Sequence, residues 1–199
     1  PADVMTIVHS LDSIEDADID LSLYTLAIDT LFKLDKDANP EIESVYDHVL
    51  KLMTVNRNII DPNDVSEFLY AVIAMHVNRK LYSQAGSCLK KAENVLLSTT
   101  DSTGDKESPI PLKCYKKMII RNWYTSKTSQ RVEALFERLM SLYSAGYTNL
   151  QPDCDLYTAF INARASAGKE VEHNLEEMIE LYKSNENEAL LPQTKVFNT

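Results

Sequence analysis

The chain has 199 residues, 44% of them apolar and 25% charged, and a formal charge of −10. No apolar run approaches the roughly 18 residues a bilayer-crossing helix needs. Three widely spaced cysteines with no Cys-x-x-Cys pair argue against a disulfide framework or a zinc site and for buried thiols in a reducing compartment.

The charge is unevenly spread. Residues 1–67 carry 15 acids against 4 bases, residues 68–131 carry 4 against 11, and residues 132–199 carry 11 against 5. A basic middle therefore lies between acidic flanks.

In chain order, Val4, Ile7, Val8 and Leu11 predict a short helix over 2–11, read as the end of a repeat that starts before Pro1, so that the chain is expected to be an excerpt. The acidic stretch 12–20 predicts a loop, with Asp20 or Ser22 capping the next helix. Leu23, Tyr24, Ala27, Ile28, Leu31 and Phe32 give a helix over 21–34. Asn39-Pro40 punctuates it, and a partner over 41–54 follows, with Pro40 in its first turn. Asp61-Pro62-Asn63-Asp64 opens a helix over 64–78, and a second runs over 81–97. Residues 98–108 hold no apolar side chain and predict a disordered loop. Pro111 opens a helix to 124, with a partner over 129–145 that Gly146 ends in a left-handed cap. Gln151-Pro152-Asp153 leads into 155–167, closed by Gly168, and a last helix covers 170–184.

One pattern recurs. An aromatic followed four residues later by a β-branched aliphatic occurs at Tyr24/Ile28, Phe68/Val72, Tyr115/Ile119 and Tyr157/Ile161, and a fifth copy begins at Phe197. The aromatics are 44, 47, 42 and 40 residues apart. That quasi-period predicts an all-α array, a right-handed α-solenoid of about four antiparallel helical hairpins. The units are 20–63, 64–110, 111–152 and 153–192, preceded by 1–19 and followed by the start of a fifth at 193–199. The regular place of the four aromatics beside the aliphatic makes them packing residues rather than base-stacking platforms.

The joint from Leu190-Leu191-Pro192-Gln193 to Phe197-Asn198 has a proline, five residues later an aromatic, then a small polar residue. Pro152 to Tyr157 has the same interval, and Ala134-Leu135-Phe136-Glu137-Arg138-Leu139-Met140 carries alanine, a Leu-Phe pair and methionine. In these features the chain resembles the pentatricopeptide repeat family over about residues 20–199, most closely in its third and fourth units. Its units are longer than that family's, and tetratricopeptide-like hairpins remain an alternative.

The resemblance implies an organellar protein, mitochondrial or plastid, that binds single-stranded RNA in RNA processing, stability or translation. It implies base reading by a residue after each first-helix aromatic and another after each inter-repeat proline. The first set is Thr25, Leu69, Lys116, Thr158 and Asn198. The second is Asn63, Ile110 or Leu112, Asp153 and Gln193. Leu69 cannot hydrogen-bond a base edge, and Lys116 suits phosphate better than base. The candidates are therefore Thr25, Asn63, Lys116, Asp153, Thr158 and Gln193.

Independently of the resemblance, Lys113, Lys117 and Arg121 lie four residues apart on one face of the third unit's first helix, with Lys116 beside them. That stripe is the candidate phosphate contact, with Arg79, Lys80, Lys90, Lys91 and Lys127 as contributors from elsewhere. A protein-interaction scaffold of the same fold, binding a peptide or helix in its groove, is the alternative. No glycine-rich phosphate loop, Gly-x-Ser-x-Gly or His-Glu-x-x-His motif occurs. His9, His48, His76 and His173 lack ligand spacing, and His76 is read as packing or bonding a carbonyl. An enzyme, a cofactor, a metal, a membrane partner and a small-molecule substrate are not expected.

Overall fold

Eight α-helices and no strand make up the described residues of the computed structural model, which are Thr6 and residues 20–34, 39–56, 60–97, 106–123 and 129–185. The predicted helix 2–11 apart from Thr6, most of the acidic loop, residues 98–105 and the fifth copy at Phe197 lie outside them. The chain divides into two units, Pro1–Asp101 and Ser102–Thr199, each with its own helix contacts.

In the first unit, α1 (Leu21–Leu34) starts where the Asp20 carboxylate accepts the Ser22 amide at 2.9 Å. It packs on α2 (Asn39–Val55) and on α3 (Pro62–Asn78). Asp61 caps α3 by accepting the Asn63 amide at 2.7 Å, and Pro62 occupies the first turn, where its missing amide costs nothing. α3 packs on α4 (Tyr82–Ala92).

The sequence predicts one helix over 81–97. The structure ends α4 at Ala92 and widens the backbone into a π turn at Glu93–Leu97, which packs back on α2. Tyr46 on α2 joins these layers. Its hydroxyl donates to the Cys88 carbonyl at 2.9 Å, and its ring stacks on Phe68 with centroids 5.9 Å apart.

In the second unit, α5 (Leu112–Trp123) packs on α6 (Ser129–Ser144) and on α7 (Cys154–Ser166). α6 also packs on α7, and α7 packs on α8 (Glu172–Asn185). Gly146, at φ +98, takes the left-handed conformation expected of it after α6. A 3₁₀ turn, Thr148–Leu150, follows.

Residues 106–108, predicted as part of a disordered loop, are instead held against that turn. The Lys106 amide donates to Gly146 at 3.1 Å and its carbonyl accepts from the Thr148 amide at 3.2 Å. The Asn149 side chain binds both the amide and the carbonyl of Ser108, each at 2.9 Å. One asparagine thus does for Ser108 what a neighbouring strand would do, and polar composition alone could not reveal that partner.

All four repeated aromatic–aliphatic pairs are buried, Tyr24 by 96% and the other seven residues by at least 99%. Removing a side chain of this size from water contributes about 1.5–3 kcal/mol, so the pattern marks the core. The three cysteines are free and buried, and burial pushes the Cys88 thiol up to about 12. A thiol-reactive disulfide reagent should therefore leave all three unmodified in the native protein over minutes and titrate all three in denaturant. Rapid labelling of one thiol in the native protein would contradict this packing.

Candidate functional site

The basic stripe forms on α5. Cys114, Tyr115, Met118 and Ile119 are buried on one side of this helix. The helical period leaves Lys113, Lys116 and Lys117 on the other side, partly exposed, with the exposed Arg121 one turn beyond Lys117. No ion pair is formed by Lys117 or Arg121 among the described residues, so these two cations are available to an anion.

Lys116 is differently placed. Its Nζ lies 2.5 Å from an oxygen of Asp153 and 3.0 Å from one of Asp155. Both acids sit at the start of α7, where Asp153 is also the cap and accepts the Leu156 amide at 3.0 Å. Partial burial works against the Lys116 ammonium, and the bonds it donates to the two carboxylates outweigh that, holding its pKa above the ordinary lysine value. One ammonium thus faces two carboxylates. Of the base-reading candidates, the structure therefore brings Lys116 and Asp153 together, bound to each other, and adds Asp155, which no spacing in the sequence singles out.

The remaining candidates are spread over both units. Thr25 is half-buried and its hydroxyl donates to the Leu21 carbonyl at 3.1 Å. Thr158, at the equivalent place on α7, is buried and makes the same bond to Cys154 at 2.6 Å. In both the hydroxyl is turned back on its own helix. Leu69, the equivalent on α3, is fully buried. Asn63 is exposed beside the Asp61 cap. Gln193 lies outside the described residues, as does Lys127.

Two of the supplementary cations are already engaged. Lys91 pairs with Asp47 at 2.8 Å, and the Arg79 guanidinium covers the Phe32 ring at 4.6 Å. In the first unit, Leu50, Thr54 and Val55 of α2 and Val95 of the π turn line a groove of about 600 Å³ with Asp47, Lys51, Lys91 and Asn94. Among the described residues, no group of three or more His, Cys, Asp or Glu side chains is placed to hold a metal, and no helix is long and apolar enough to cross a membrane.

A scan against models of protein families found no match, and searches among curated proteins and among solved structures found none.

Proposed function

We propose that this chain is a helical-repeat protein that holds single-stranded RNA by its phosphates on the outward side of α5, in the processing, stability or translation of organellar transcripts. The observation that carries the reading is the pair Lys117 and Arg121, one turn apart with no carboxylate partner among the described residues, in line with Lys113. An α-solenoid is the arrangement that suits it. In each unit a first helix packs both on its own partner and on the next first helix, α1 on α2 and α3, α5 on α6 and α7, which is the neighbour pattern that stacked hairpins require.

With Thr158 turned inward and Lys116 bound to Asp153, the second unit offers an RNA its backbone grip more than a base-reading edge. Two cations meeting two phosphates give a slope of log K against log salt of about −1.4 on a single strand. Titration of a fluorescent single-stranded RNA at low and moderate salt should show that slope. The double substitution Lys117→Glu with Arg121→Glu should weaken binding about tenfold or more. Binding that is absent at low salt, or indifferent to the double substitution, would remove the reading.

The groove of the first unit favours a second reading, an interaction scaffold. Leu50, Val55 and Val95 make part of its lining apolar, and Val55 is 82% exposed, the kind of surface into which an amphipathic helix lays its apolar face.

A further inference from the structure

Four cations on α5 would make a strong anion site, yet the one beside the centre of the row is held by two acids. We propose that Lys116 is a competed cation, shared between the Asp153/Asp155 carboxylates and an RNA phosphate, and that Asp155 is the residue that limits how tightly the second unit holds RNA. The inference rests on the RNA reading above and deepens it.

Three features of the geometry support the exchange. The Lys116 side chain is 32% exposed and those of Asp153 and Asp155 are 24% and 43% exposed, so these ion pairs lie within reach of solvent and of a ligand. Pairs at this depth contribute little net free energy, and a phosphate can compete for the ammonium. Asp153 is fixed independently by its bond to the Leu156 amide, so α7 keeps its cap when the lysine leaves. Lys116 follows Lys113 by three residues, a spacing that makes the two neighbours on the helix surface, so a phosphate seated at Lys113 lies beside the ammonium that would join it. The two carboxylates oppose that phosphate, and removing one both lowers the opposition and leaves the lysine held by a single acid.

Asp153 is the cap of α7 and Asp155 lies in its first turn, so Asp155→Asn is the direct test, and Asp153→Asn, which keeps a capping side chain, is the second variant. Each is titrated with a fluorescent twelve-nucleotide single-stranded RNA, alone and combined with Lys116→Gln. Asp155→Asn should bind about fivefold tighter than the unaltered protein, the upper range for an exposed ion pair. Its salt slope should be steeper by about 0.7, one further phosphate contact.

In the Lys116→Gln background most of that gain should vanish. A gain of equal size there would mean general repulsion rather than release of Lys116, and would overturn the proposal. Unchanged affinity and slope in both aspartate variants, with Lys117→Glu still weakening the parent, would overturn it while leaving the α5 stripe standing. No RNA binding by any of these proteins at low salt would remove both.

Discussion

Replacing Phe136 by alanine is expected to destabilise the second unit by about 4 kcal/mol, within the 3–5 kcal/mol typical of a buried phenylalanine. Phe136 is 2% exposed and lies between two rings of α7. It stacks on Phe160 with centroids 4.1 Å apart and meets Tyr157 edge-on at 5.0 Å. Alanine would lose both aromatic contacts, each worth about 0.5–1.5 kcal/mol beyond the area buried, and would leave a void where α6 and α7 meet. Phe136→Leu keeps most of the volume and should cost less than half as much. Urea unfolding followed through Trp123, the single tryptophan and a residue of the same unit, measures the difference. A loss under about 1 kcal/mol for alanine would mean that α6 and α7 do not meet through this ring.

The second large effect is acid sensitivity in the first unit. His76 is 1% exposed, meets the edge of Phe32 at 4.9 Å, and neither ring nitrogen has a hydrogen-bond partner among the described residues. Of the two roles its sequence position allows, packing or bonding a carbonyl, the ring takes packing. Burial foremost, and the Arg79 guanidinium after it, push its pKa from 6.5 down to about 4.

The folded imidazole therefore stays neutral while the unfolded one takes up a proton as the pH falls through 6.5. The contribution is complete above pH 6.5 and is lost progressively as the pH approaches 4, by about 3 kcal/mol in all. His76→Leu, close in volume and without polar atoms, should be at least as stable at pH 7 and should lack this part of the acid dependence. Unfolding in urea at pH 7, 5.5 and 4.5, followed by far-ultraviolet circular dichroism, would show the two proteins diverging as the pH falls. Parallel pH profiles would mean that His76 is not buried neutral.

The helices were legible because their signals are local. Tyr24 to Phe32 repeats at helical spacing, Asp61-Pro62 announces a first turn, and Gly146 announces a left-handed exit. α1 has the predicted bounds, and the other helices agree within about two residues apart from the π turn. The π turn was not legible, because Ala92 to Leu97 continues the apolar spacing and only packing on α2 separates the two backbones.

The candidate site was legible by half. Spacing placed Lys113, Lys117 and Arg121 on one side of a helix. It could not show that Lys116 would meet Asp153, 37 residues away, because that depends on which helix becomes the neighbour. The burial of Thr158 was equally hidden. It shares a helical face with Asp155 and Asn162, and that face is covered only because of the helices that pack there.

The grip of Asn149 on Ser108 has a consequence for how the protein would tolerate being cut. Every hydrogen bond of that grip, and those joining Lys106 to Gly146 and Thr148, is made within the second unit. A protease nick between Leu97 and Lys106 would break none of them, and the new amino terminus would still be threaded into place ahead of α5. Extra residues spliced in at the same point would likewise reach α5 through an unchanged anchor.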